Sequence, residues 1–200
     1  MREHFYAELE YQDKLARFLE NHDEPRAAAT FDQKNHEAAA VITFLSPGLR
    51  FFHQGQFTGR IKRISPHLVR APHEPINSEL QKFYETLLDL LKEPIFRNGK
   101  WSLLECRPAW EENNTWDSFL AFAWEGIDSN RVLVCVNYSP QSAQCYVCLP
   151  FPELAYKQWT FDDLMSDASY DREGSDLLNS GLYLDMTAWS YHVFEIKNSK

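Results

Sequence analysis

Phe18-Leu19-Glu20-Asn21-His22-Asp23-Glu24-Pro25-Arg26 is the stretch that decides the fold of this chain. Leu15 to Leu19 (LARFL) has the apolar character of a short strand and runs straight into Glu20-Asn21-His22-Asp23. A strand therefore delivers a His-Asp pair at its C-terminal end, with Asn before it and Arg three residues after. In barrels of parallel strands, working residues stand at this end. A carboxylate beside an imidazole and a guanidinium suits recognition of sugar hydroxyls, and electrostatic stabilisation of a positively charged transition state. A strand-end His-Asp taken alone serves equally as a helix cap or a surface ion pair.

Downstream of this string, short strands alternate with helices. His36 to Phe44 (HEAAAVITF) is Ala-rich and predicts a helix that stops at the breakers Ser46-Pro47-Gly48. Leu49 to His53 predicts a second strand, ending at Gly55. A loop rich in Arg, His and Pro follows, from Gln56 to Pro75. Its stretch Ser65 to Pro75 holds two histidines, but three prolines make it an extended surface loop rather than a metal site. The clearest element comes next. Asn77 or Ser78 can cap a helix, with Gln81 as a capping-box partner of Ser78. Leu80, Phe83, Tyr84, Leu87, Leu88 and Leu91 fall on one helical face, and Pro94 closes the element. Strand–helix–strand–helix order implies parallel strands covered by helices. Two such strands alone would leave apolar edges unpaired, so residues 1–95 read as part of a larger sheet, open to self-association through those edges.

Near residue 95 the period changes. Trp116 to Trp124, Arg131 to Tyr138, Gln144 to Phe151 and Tyr191 to Ile196 are short runs rich in β-branched and aromatic residues, with turn signals at or between them. Residues 96–200 are expected to form an antiparallel β-sandwich. Trp116 and Trp124 are placed on one strand face as core, and Trp110 at the surface. Asp162-Asp163 and Asp171-Arg172-Glu173 are assigned to solvated loops. Cys106, Cys135, Cys145 and Cys148 are expected as reduced thiols, because no second ligand pair completes a zinc site around Cys145-x-x-Cys148.

The bulk numbers exclude several classes. A net charge of -9 repels phosphate backbones, which argues against nucleic-acid binding. No apolar run approaches the roughly 20 residues that span a bilayer, so no membrane partner is expected. The first residues lack the apolar core of a signal peptide, and a cytoplasmic location is the expectation.

The nine-residue string resembles the fourth conserved region of the α-amylase family (glycoside hydrolase family 13), where a Phe-initiated strand ends in Asn-His-Asp with an Arg following. Asn21, His22, Asp23 and Arg26 all match. Ser46 to Gly55 resembles the family's eighth barrel strand, with two glycines seven positions apart, Gly48 and Gly55. The Leu80–Leu91 helix resembles the final barrel helix, and Val132 to Ser139 the domain that follows the barrel. The resemblance covers nearly the whole chain. It implies an α/β part followed by an all-β part: residues 1–95 as the last two strands and helices of a (β/α)8 TIM barrel, and residues 96–200 as the C-terminal β-sandwich.

For function, the resemblance implies a retaining α-glycosidase acting on α-linked oligo- or polysaccharides; no cofactor and no metal are expected. Asp23 would be the carboxylate that stabilises the transition state, and Asn21, His22 and Arg26 would contact substrate. His53-Gln54 replaces the family's common tyrosine pair, and Gln56 is followed by Phe57 where the family usually has Glu, but His53, Gln54 and Gln56 can still face a sugar through neutral hydrogen bonds. The nucleophile and general acid belong to earlier strands, and neither signature is found in this chain. It is therefore expected to be inactive by itself. The alternative is a carbohydrate-binding or interaction module without hydrolytic activity.

Overall fold

Two capped helices organise the first part of the chain. Asp32 accepts a hydrogen bond from the Asn35 N–H (3.0 Å) and opens the helix Gln33–Leu45. His36, Ala38, Ala39, Ala40, Val41, Ile42, Phe44 and Leu45 are buried, so small alanines let this helix be covered on nearly every side. Asn77 caps the helix Ser78–Leu90 by accepting from the Leu80 N–H at 3.1 Å. That helix is amphipathic and buries Leu80, Phe83, Tyr84, Leu87 and Leu90 at helical spacing. Gln81 does not act as a capping-box partner; its amide donates to Glu85 one turn on.

The computed structural model describes residues 2–199, which divide into two compact units: residues 8–92, and residues 2–7 together with 93–199. In residues 8–92, β1 (Ala16–Arg17) and β2 (Leu49–Arg50) pair in parallel, with the Gln33–Leu45 helix on the crossover between them. Both strands are shorter than the apolar runs suggest. The ladder closes through Leu49 N–H to Leu15 O (2.8 Å) and Phe51 N–H to Arg17 O (2.9 Å). Beyond it, Phe18 and Phe51 meet edge to face with their rings about two-fifths exposed. Gly48 makes the entry to β2 possible. It sits at φ +116°, and a Cβ there would lie 2.5 Å from the Leu15 carbonyl oxygen. The segment from Phe51 to Asn77 has no regular element. Glu74 folds it back on itself by accepting from the N–H groups of Ile61 and Lys62.

The second unit is built of antiparallel sheets. Its strands are β3 (Lys100–Leu104), β4 (Cys106–Arg107), β5 (Phe119–Glu125), β6 (Arg131–Asn137), β7 (Ala143–Val147), β8 (Gln158–Asp163), β9 (Ser169–Glu173), β10 (Leu182–Met186) and β11 (Tyr191–Asn198). Six of them form a sheet in the order β3-β5-β6-β11-β8-β9, and three a second sheet in the order β10-β7-β4. Residues of both sheets, among them Phe119, Leu133, Cys145, Val147, Phe161, Leu184 and Phe194, share one buried cluster. The sandwich expectation agrees with this arrangement.

Particular assignments change. Trp116 lies in a 3-10 turn (Thr115–Ser118) before β5, so it shares no strand face with the buried Trp124. Asp162 and Asp163 belong to β8, and Asp171 to Glu173 to β9, not to loops. Asp163 is buried, accepting from Ser166 Oγ, from the N–H groups of Met165 and Val193, and pairing with His192 Nδ1 at 2.8 Å. Cys106, Cys135 and Cys145 are buried free thiols and Cys148 is half-buried; burial pushes the Cys135 thiol well up. Trp110 is exposed. No described helix is long and apolar enough to cross a membrane.

Candidate functional site

The segment after β1 is a bend whose side chains tie down its own backbone. Asn21 Oδ1 accepts from the N–H groups of Asp23 (2.7 Å) and Glu24 (2.9 Å), an Asx turn that swings His22 and Asp23 outward. Both side chains are exposed, with His22 Nε2 3.2 Å from Asp23 Oδ2. The backbone oxygen of His22 receives Arg63 Nε at 3.3 Å. Asp23 thus stands at the C-terminal end of a parallel strand, facing solvent, with its imidazole neighbour beside it.

Beneath this pair lies a buried cluster that sequence reasoning missed in part. Glu20 has no exposed surface. Its Oε2 accepts from the Ala27 N–H at 2.7 Å, and its Oε1 lies 2.9 Å from Arg26 Nη2 and 3.5 Å from His53 Nδ1. Burial raises the Glu20 pKa above the usual carboxylate range, opposed by the Ala27 N–H and Arg26. Arg26 is almost fully buried and spends its whole guanidinium on the protein. Nε donates to Arg60 O (3.3 Å), Nη2 to Gln54 O (2.9 Å), and Nη1 meets His53 Nδ1 at 2.9 Å. Arginine only donates, so this contact makes His53 Nδ1 an acceptor and places the proton of the neutral ring on Nε2. His53 is partly exposed, and its Nε2–H is available as a donor. Gly55, at φ +87°, is required here, since a Cβ would run into the Arg60 side chain and approach Arg26.

A second buried chain supports the same end of the unit. Gln56 Nε2 donates to Tyr84 Oη at 2.8 Å, and Tyr84 Oη lies 2.8 Å from His36 Nε2. Burial lowers the His36 pKa to about 4, so its neutral Nε2 accepts the tyrosine proton. Gln56 Oε1 receives the His53 N–H at 3.3 Å, which joins this chain to the cluster above it.

The seven residues predicted from sequence therefore separate into two layers. Asp23, His22 and the partly exposed His53 present groups to solvent, and the Gln54 side chain is exposed. Asn21 spends its Oδ1 on the bend. Arg26 and Gln56 are buried, with their donors committed to protein partners, so they hold the site in place and leave no group for a sugar. Glu20 was quoted in the string but given no role. The signal that could have found it is a charged residue ending an apolar strand six positions before an Arg that can pair with it. No group of three His, Cys, Asp or Glu among the described residues is arranged to hold a metal ion.

No protein-family model and no curated protein sequence matches the chain. Solved structures do. A noncanonic maltogenic α-amylase from Thermotoga neapolitana superposes with a TM-score of 0.71 at 15% identity, over 90% of this chain and 40% of that one. A debranching enzyme from Nostoc punctiforme, soaked with acarbose, gives 0.62 at 17% identity, over 94% of this chain and 35% of that one. An α-amylase from Lactobacillus plantarum gives 0.56 at 13% identity, over 90% and 37%. The chain spans about two-fifths or less of the length of these proteins. It has the fold of a C-terminal portion of the α-amylase-type enzymes.

Proposed function

We propose that this chain supplies the last two βα units of a (β/α)8 barrel and the following β-domain to a retaining hydrolase or transglycosylase of α-glucans. One observation carries the proposal: Asp23 is exposed at the C-terminal end of a parallel strand, on a bend anchored from beneath by Glu20 and Arg26. The likeness in fold to α-glucan-acting enzymes supports it. So does the two-strand ladder, which leaves Phe18 and Phe51 part-exposed and Leu49 69% exposed, as strands do when further strands are to flank them.

In a retaining reaction, one carboxylate attacks the anomeric carbon while an acid protonates the leaving oxygen. Asp23 takes neither role. Its unpaired oxygen accepts from hydroxyls of the sugar in the cleavage subsite, and its charge offsets the oxocarbenium-like transition state. His22 is the hydroxyl-binding partner beside it, and His53 Nε2–H a further donor. The nucleophile and the acid come from strands outside these residues, so hydrolysis requires those strands, joined to this chain or supplied by another.

The test is maltoside hydrolysis by a polypeptide that joins six preceding barrel strands to this chain. Asp23→Asn should lower kcat by about 10^3-fold while the protein stays folded. Retention of full activity would overturn the role given to Asp23.

A further inference from the structure

Positive charge in this acidic chain collects on one segment. Residues 54–77 carry Arg60, Lys62, Arg63 and Arg70 against a single acid, Glu74, a net charge of +3 in a chain whose total is -9. The segment leaves the C-terminal end of β2, which pairs in parallel with β1, so it starts at the end of the ladder where Asp23 stands. Cations gathered beside a site draw anions to it.

Two of these arginines are rooted at the candidate site itself. Arg63 is exposed; its Nε donates to the His22 carbonyl at 3.3 Å, one residue from Asp23, and its Nη groups have no protein partner among the described residues. Arg60 is half-buried and lays its aliphatic stem against Gly55, where a Cβ would fall 3.0 Å from Arg26 Nη2. The Arg60 backbone oxygen receives Arg26 Nε at 3.3 Å, which ties it to the cluster of Glu20, Arg26 and His53. Between the two arginines, the N–H groups of Ile61 and Lys62 donate to Glu74 Oε2 at 2.8 and 3.2 Å. The acid of the segment is thus spent on backbone, and neither Arg60 nor Arg63 forms an ion pair among the described residues. Asp23 pairs with His22 instead, and the exposed Glu24 forms no ion pair among the described residues.

We propose that Arg60 and Arg63 bind the phosphate group of a phosphorylated sugar whose hydroxyls meet Asp23 and His22. Guanidinium groups match phosphate oxygens in forked pairs of hydrogen bonds. Two of them balance a phosphate monoester, which carries about -1.5 to -2 at neutral pH. A neutral glucan would use neither charge. A bare phosphate ion is repelled by Asp23 and Glu24 on the adjacent bend. A sugar phosphate offsets that repulsion, because its hydroxyls donate to Asp23 while its anionic group reaches the arginines. The sugar part of this assignment rests on the function proposed above; the anion-binding part does not.

Glucose 6-phosphate, glucose and inorganic phosphate, each titrated into the 15N-labelled 200-residue chain, test the proposal. Saturable shifts at Arg60, Arg63 and His22 are expected with glucose 6-phosphate, at least about tenfold tighter than with either other probe, and weakening as salt is raised. Arg63→Gln and Arg60→Gln should each weaken glucose 6-phosphate about tenfold. Arg97→Gln makes the same change in net charge on the other unit and should leave binding unchanged. No saturable shift with glucose 6-phosphate would overturn the proposal. So would equal weakening by Arg97→Gln, or inorganic phosphate binding as tightly as the sugar phosphate. Those failures leave the role of Asp23 in hydrolysis standing. Full hydrolysis by Asp23→Asn would remove that role and leave the arginine-dependent binding of phosphate standing.

Discussion

Replacing Tyr84 by Phe isolates the buried chain that runs from Gln56 through Tyr84 to His36. Phe keeps the ring packed where it is and removes one oxygen. All three residues are at most 1% exposed, so no water replaces it. Two hydrogen bonds of 2.8 Å disappear, and the Gln56 amide donor and the His36 acceptor are left buried without partners. A buried group stranded in this way costs about 1–3 kcal/mol, which puts the substitution at roughly 2–4 kcal/mol. A unit of this size has a urea m-value of about 1 kcal/mol/M, so the midpoint should fall by roughly 2 M or more. The assay can be confined to the right unit. All six tryptophans lie in the β-unit, whereas the two long helices lie in residues 8–92. Helical ellipticity therefore follows the perturbed unit, and tryptophan fluorescence follows the other. A shift of the ellipticity midpoint worth less than about 0.5 kcal/mol would refute the view that this chain is closed and dry.

Three further expectations follow from the same geometry. Gly48→Ala places a side chain at φ +116° against the Leu15 carbonyl and should cost roughly 1–3 kcal/mol or more, read as the same ellipticity midpoint. Glu20→Gln keeps the acceptor for the Ala27 N–H but leaves Arg26 as a buried charge without its counter-ion; a loss of about 3–5 kcal/mol is expected, and a neutral substitution would contradict the ion pair. His36 titrates at about 4 when folded and near its ordinary 6.5 when unfolded. The unfolded chain then binds the extra proton between those values, so stability of this unit should fall as pH drops from 6.5 towards 4, by roughly 3 kcal/mol in all, and His36→Gln should flatten that slope.

Much of residues 8–92 was legible because helices announce themselves through caps and period. Asn77 and the buried Leu80, Phe83, Tyr84 and Leu87 are found where the spacing puts them, with Leu90 buried in place of Leu88 and Leu91. The strands were harder. Apolar runs at Leu15–Leu19 and Leu49–His53 mark extended chain, but pairing extends over only two residues of each. In the β-unit, the missed strands divide by cause. Leu182, Leu184 and Met186 alternate and could have been read as a strand, whereas Ser169 to Glu173 is a polar edge strand with no apolar period to read. Asp163 was placed in a loop because it lies among turn residues, yet four hydrogen-bond partners hold it in β8.

The candidate site was legible where residues face solvent and opaque where they face one another. His22 and Asp23 follow from their place at a strand end. Arg26 was given a sugar contact by the resemblance of its string, and Gln56 because a neutral amide can bond a sugar hydroxyl. Only the structure reveals that Glu20, His53 and Tyr84, brought from 27 to 28 residues away in two of these pairings, consume their hydrogen-bonding groups.

The most direct measurement is the rate of p-nitrophenyl α-maltoside and starch hydrolysis by the 200-residue chain by itself. Under the proposed division of roles these residues supply one carboxylate of the three, so no turnover above the buffer rate is predicted. Turnover by this chain that survives repurification would mean that a nucleophile and an acid reside among these residues, and the division of roles centred on Asp23 would be wrong.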